Sequence, residues 1–329
     1  MQKVLFKNKV PEAVSLLQKG RTVVAPVHSG GSFVFKVVEN AQDAVLDYPT
    51  TILPLKKFFL PPKEVLLRYD RQTQEALVPQ EELAPRLFLG VHNYDLQGLL
   101  RLDHAFGTGV RDETWFRRRA GSLFAGVSYV PDEYHFAPSV GIPAASQEGF
   151  DLFLTSFETF YAVEALTGAG KSLVEEMSPC LEDRECGPAP VPQYRARLRQ
   201  SVAGTREIFP GAYNNPVWQD TARTCLSCGT CNVVCPTCYC FDVDDQTDLG
   251  AATGARLRRW DSCQFTGFAS VAGGESFRQR RGDRVRHRLS RKFAYIADAK
   301  GMPFCVGCGR CGRQCTAGIS VPGVMNALL

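Results

Sequence analysis

The chain has 329 residues, 44% hydrophobic and 22% charged, which is long for one domain, comfortable for two, and excludes a disordered polypeptide. Its formal charge of +4 is modest, and no apolar run approaches the roughly 20 residues of a membrane span. The first residues, Met1-Gln2-Lys3-Val4-Leu5-Phe6-Lys7, are broken by charge and lack a signal-peptide core, so a cytoplasmic protein is predicted.

In chain order, residues 1–175 read as an α/β-type domain. A helical pattern runs from Pro11 to Lys19. Arg21–Val27 and Ser32–Val38 are β-branched runs that predict strands. Arg86–Val91, Ser122–Val127 and Phe150–Thr155 are short apolar runs of the kind found in buried strands. Leu96, Leu99, Leu100 and Ala105 mark one face of a helix between the first two. Strands alternating with helices predict layered packing. Residues 176–217 carry Pro179, Pro188, Pro190, Pro192, Pro210 and Pro216 and predict a linker, which also holds Cys180 and Cys186. Residues 218–329 are rich in cysteine and predict a mostly helical second domain, so the whole is expected to be α+β.

Thirteen cysteines are present; none precedes Cys180, and eleven lie from Cys225 to Cys315. A secreted disulfide scaffold would spread them along a short chain, whereas crowded thiols in a reducing compartment are more often metal ligands. Two copies of one pattern stand out: Cys225-x2-Cys228-x2-Cys231-x3-Cys235-Pro236 and Cys305-x2-Cys308-x2-Cys311-x3-Cys315. This spacing wraps three thiolates around one face of an iron–sulfur cubane and aims the fourth at a second cluster. Two [4Fe–4S] clusters are therefore predicted, one on Cys225, Cys228, Cys231 and Cys315, the other on Cys305, Cys308, Cys311 and Cys235. Gly229, Gly307, Gly309 and Gly312 suit loops that bring backbone close to sulfide. Zinc would call for two C-x2-C pairs instead; a zinc-bearing interaction module without a redox role is the alternative. A cubane with four thiolates carries a charge of about −2, so the basic excess serves partly as counter-charge. The second copy ends on Thr316 where a proline usually follows the last cysteine.

Between the copies lie Cys238, Cys240 and Cys263. They read as buried thiols packing as small hydrophobes or, with Cys180, Cys186 or His287, as a third metal site. Three cysteines leave a four-ligand site one short, so packing is the favoured reading. Arg278 to Lys292 holds nine basic residues in fifteen, counting His287. A solvated helix face, counter-charge to the clusters and a dock for an acidic partner are the readings weighed. No aromatic-interleaved motif accompanies the run, so no nucleic acid is expected. Gly168-Ala-Gly-Lys-Ser172 resembles the tail of a phosphate-binding loop, but Ala165 stands where that motif needs glycine, and nucleotide binding is rejected there. No G-x-G-x-x-G follows a strand. Glu113, His104 and His135 have no partners at catalytic spacing and read as structural or surface residues, so no catalytic residue is predicted.

The cysteine block from Cys225 to Phe241, the segment from Arg256 to Trp260-Asp-Ser-Cys263, the basic stretch with His287 and the closing cysteine run occur together in this order. In this the chain resembles the iron–sulfur β subunit of soluble NAD(P)-linked nickel–iron hydrogenases (sulfhydrogenases) and, equally, the corresponding iron–sulfur subunit of anaerobic sulfite reductase. Gly90-Val-His-Asn-Tyr-Asp95, Gly126-Val-Ser-Tyr129 and Gly149-Phe-Asp-Leu152 extend the resemblance over nearly the whole chain. It implies a non-catalytic subunit that relays single electrons. Its expected partners are a flavin/NAD(P)-binding subunit on one side and, on the other, a catalytic oxidoreductase subunit of hydrogenase, sulfite reductase or heterodisulfide-reductase type. Family members often carry cysteines about the positions of Tyr94, Tyr129 and Tyr134-His-Phe136. With none here, no N-terminal cluster is expected.

Overall fold

The computed structural model describes residues 1–81, 84–250, 252–297 and 300–328. The N-terminal half begins with β1 (Gln2–Phe6), α1 (Val10–Leu17), β2 (Thr22–Ser29) and β3 (Ser32–Val37). There follow β4 (Lys63–Asp70), β5 (Glu75–Leu77), β6 (Arg86–Val91), α2 (Asn93–Gly107), α3 (Glu113–Arg119) and β7 (Ser122–Val127). β8 (Leu152–Ser156), β9 (Phe160–Ala165), α4 (Gly168–Glu176) and β10 (Leu181–Arg184) complete it. One eight-stranded sheet runs in the order β10-β1-β9-β8-β7-β6-β2-β3. Its centre, β2-β6-β7-β8, is parallel, and the outer pairs are antiparallel. Parallel strands are covered on both faces, which is why β6 and β7 are continuous apolar runs that pair Leu87 with Leu123 and Phe88 with Phe124. The linker is not wholly irregular, since β10 pairs with β1 at the sheet edge.

The C-terminal half contains α5 (Val202–Glu207), α6 (Val217–Thr224), α7 (Thr230–Val233), β11 (Phe241–Thr247), β12 (Thr253–Trp260), α8 (Arg281–Ser290), α9 (Arg310–Arg313) and α10 (Val321–Asn326). A single π turn, Arg291–Tyr295, prolongs α8. This half is mixed rather than mostly helical, a correction to the sequence reading. The segment between the cysteine motifs forms the hairpin β11–β12, and β12 pairs with β4, giving a second sheet β11-β12-β4-β5 that both halves build together. Behind it, Glu64 of β4 receives Arg118 of α3 at 2.5 Å and Arg258 of β12 at 2.6 Å. All three side chains are buried, so each charge depends on the others.

Two hydrophobic cores result. The larger fills the space about the eight-stranded sheet, with Phe88, Phe124, Trp115 and Phe59 at its centre. The smaller joins Tyr94, Phe136, Trp218, Phe293 and Val306 to the helices around the cysteine motifs.

Candidate metal centre

Both motifs fold alike. Cys225 caps α6, residues 225–229 form a loop, Gly229 takes φ +76°, and the short α7 carries Cys231. In the second copy residues 305–309 form the loop, Gly309 takes φ +70°, and α9 carries Cys311. Each fourth cysteine, Cys235 or Cys315, follows its helix. Position three of each loop also has positive φ, Ser227 at +52° and Gly307 at +64°. Such reversals turn backbone N–H groups inward, and Ser227 N donates to the Cys225 thiol at 3.4 Å.

The thiols of the two copies interleave. One cavity is lined by Cys225, Cys228 and Cys231 together with Cys311 and Cys315, under an apolar cover of Val285, Leu289, Val321 and Val324. Burial, with Cys311 and Cys235 close by, pushes the Cys305 thiol up to about 12. The Cys308 thiol is likewise raised by burial and by Cys235. Burial also raises Cys231 to about 12, whereas Thr230 hydrogen-bonds to Cys228 and lowers that thiol. Buried neutral thiols beside one another are a poor resting state. Ligation to iron, which takes up thiolate charge, is the arrangement these donors suit.

The N-terminal half holds the motif loops in place. A Cβ on Gly98 of α2 would stand 2.7 Å from the Pro236 side chain, so that helix lies directly against the end of the first motif. Arg310 forms a two-pronged pair with Asp95 of α2 at 2.6 and 2.7 Å and bonds Thr51 at 2.7 and 2.8 Å, all fully buried. Phe136 N donates to Gly307 O at 2.8 Å. Lys56 bonds the carbonyls of Asn232 (3.2 Å) and Cys238 (2.8 Å), lies 4.3 Å over the Trp260 ring, and is lowered to about 8 by burial.

The basic stretch has an inward face. Arg284, Arg288 and Lys292 follow at spacings of four, which places them on one side of α8 and its π turn. Arg284 bonds Ser227 Oγ at 3.3 Å, Arg288 bonds Asn232 Oδ1 and Cys231 O at 3.0 Å each, and Lys292 bonds Thr237 Oγ1 at 2.7 Å. The periodicity was legible in the sequence. Lys56, Asn232, Asp95 and Arg310 were missed, and only tertiary packing brings them to the motifs.

Cys238, Cys240 and Cys263 line a separate cavity with His287. Cys180 is elsewhere, buried with its thiol 4.0 Å from Glu12, and Cys186 lies beyond β10 outside that cavity. Gly168–Ser172 opens α4, capped by Thr167 Oγ1, which itself bonds Asp151 at 2.8 Å. Glu113 is an exposed partner of Arg111 at 3.1 Å. His104 sits in the last turn of α2, and His135 is fully buried. The segments about Tyr94, Tyr129 and Tyr134–Phe136 do converge. Tyr94 and Tyr129 stand 5.0 Å apart, and His135 lies 5.3 and 5.2 Å from them, beside a His92 ring stacked on Tyr48 at 4.1 Å.

Paired cysteine loops of this shape define an iron–sulfur protein of the 4Fe–4S type. A family model described as a 4Fe–4S dicluster domain matches residues 224–319, which include all eight motif cysteines. Over 331 aligned positions the chain is 33% identical to sulfhydrogenase 2 subunit beta of Pyrococcus furiosus, covering 98% of this chain and 96% of that protein. The chain belongs to the sulfhydrogenase β-subunit family. No solved structure matches it.

Proposed function

We propose that the chain is the electron-transfer subunit of a cytoplasmic oxidoreductase complex, with a flavin/NAD(P)-binding subunit on one side and a catalytic subunit of hydrogenase type on the other. Cys225, Cys228, Cys231 and Cys315 would hold one [4Fe–4S] cluster, and Cys305, Cys308, Cys311 and Cys235 the other. When bound, such clusters accept and release single electrons, which lets a flavin's hydride-derived pair be passed on singly. The observation that carries this reading is the cavity lined by the three thiols of the first copy together with Cys311 and Cys315 of the second; the motif spacing makes Cys315 the fourth ligand there.

The chain's own residues do the rest. Val285, Leu289, Val321 and Val324 give the first-copy cavity an apolar wall, while Cys228 stays open to solvent. Arg288 and Lys292 supply positive charge beside thiolates, and the Arg310–Asp95 pair fixes the second loop against α2. Three of the nine basic residues of this stretch, Arg284, Arg288 and Lys292, turn toward the motifs, which supports counter-charge over nucleic-acid contact. Among the described residues no helix is long and apolar enough to cross a membrane.

Anaerobic iron and sulfide analysis with electron paramagnetic resonance tests the reading. The motif cysteines should account for about eight iron and about eight sulfide in two reducible centres. Zinc with no reducible centre would contradict it. The isolated chain should not oxidise NAD(P)H, because cubanes alone accept no hydride. Rapid bleaching by NAD(P)H with flavin and partners excluded would contradict that part.

A further inference from the structure

The sequence leaves Cys238, Cys240 and Cys263 one ligand short. The structure supplies a fourth side chain. All three thiols and the His287 imidazole line one cavity of about 340 Å³, against about 70 Å³ for the cavity at the first motif. The elements converging there are far apart in sequence: the loop before β11, the residues after β12, and α8 with its π turn.

The cavity's charge points to its occupant. Arg278, Arg288, Arg291 and Lys292 all line it, and no carboxylate does. Arg288 and Lys292 bond only neutral oxygens nearby, Arg291 bonds the Tyr239 hydroxyl at 2.9 Å, and Arg278 Nε is buried without a partner. Arg288 and Lys292 stand beside the motif thiolates as well, so the positive charge that calls for an anion in this cavity is that of Arg278 and Arg291. The thiols are also hydrogen-bonded as acceptors. Asn232 Nδ2 lies 3.0 Å from Cys263 Sγ and 3.8 Å from Cys240 Sγ, and Gln264 Nε2 lies 3.9 Å from Cys263 Sγ. Amide donors aimed at sulfur are the surroundings that tune ligated thiolates. Packing alone does not explain amide donors aimed at these sulfurs or the two further guanidinium groups, Arg278 and Arg291, beside them.

We propose that Cys238, Cys240, Cys263 and His287 bind a third [4Fe–4S] cluster, distinct from the two motif clusters, in the cavity beneath α8. Three thiolates and a neutral imidazole around a doubly positive core leave a net charge of about −1, which the surrounding cations neutralise. Cys240 and Cys263 are paired with each other, and Cys238 lies beside Cys235 of the first motif.

The test uses the full chain, purified without oxygen. Wild type should carry about twelve iron and about twelve sulfide, four of each beyond the motif clusters. Cys240→Ser and Cys263→Ser should each lower both counts to about eight and abolish one redox transition, with the other two unchanged. His287→Ala, at the half-buried rim where folding is least at risk, should shift or remove that same transition alone. Two results would overturn the proposal: about eight iron in wild type with both motif centres fully loaded, or wild-type iron and transitions in the Cys240→Ser and His287→Ala proteins. A chain with no reducible iron would instead defeat the two-cluster reading, and this proposal with it.

Discussion

The two cysteine motifs are spelled alike and placed differently. Position by position, Leu226 is 63% exposed and Val306 2%; Cys228 is exposed and Cys308 buried. Ser227 stands where the second copy has Gly307, and Thr230 where it has Arg310. A Cβ on Gly307 would lie 2.5 Å from the backbone of Ala137, and one on Gly309 2.6 Å from that of Tyr134, whereas one on Gly229 meets mainly the Phe265 ring. The second loop is pressed against the N-terminal half, and the first faces outward. One ligand pattern thus supports two environments. The outer loop is open to solvent, and the inner loop is set by tertiary contacts that the pattern itself does not encode.

The sharpest way to break this contrast is Arg310→Ala, which leaves Asp95 charged, buried and alone. It should cost about 3–5 kcal/mol and release the second-copy cluster, read as a fall in thermal midpoint and in iron content. The matching change in the outer loop, Thr230→Ala, should be within about 1 kcal/mol of wild type and keep its iron. Equal losses in both would mean that the loops are not differently anchored.

Gly307→Ser comes next. It places a side chain at positive φ against backbone that cannot yield, and a loss of roughly 2 kcal/mol or more is expected with depleted second-copy iron. Ser227→Gly should leave cluster content unchanged. Denaturant midpoints and iron assays on the pair decide it.

The contrast also predicts rates. An iron chelator or ferricyanide should bleach the protein in two phases, the faster belonging to the outer loop, and Cys228→Ser should remove the fast phase. A single phase would argue for equal access.

The smallest effect is on acid stability of the inner side. Burial lowers His135 to about 4, so it stays neutral when folded while the unfolded chain takes up a proton near 6.5. The unfolded state binds more protons between these values. Stability from this group is therefore complete above about pH 6.5 and falls by up to roughly 1.4 kcal/mol per unit toward pH 4. His135→Phe should flatten that slope in pH-dependent unfolding; an unchanged slope would exclude His135 as its source.

Much of this could be read before any coordinates. β6 and β7 begin and end where their apolar runs do, because strands buried on both faces have no need to alternate. The motif loops were legible for a similar reason: ligation is a local demand on spacing. The hairpin β11–β12 was not, since Asp242, Asp244 and Asp245 give it no apolar alternation and its pairing strand, β4, lies far back in the chain. The Arg310–Asp95 pair spans 215 positions and looks, in sequence, like two ordinary charges. The cation-lined thiol cavity needed three distant segments to meet before His287 could be seen beside the cysteines.

Anomalous scattering from iron in anaerobically grown crystals tests the central claim most directly. The account predicts one iron centre bounded by Cys225, Cys228, Cys231 and Cys315 near the surface, and another bounded by Cys305, Cys308, Cys311 and Cys235 against α2. Iron bound instead by the four cysteines of a single motif, or no iron at the motifs at all, would contradict it.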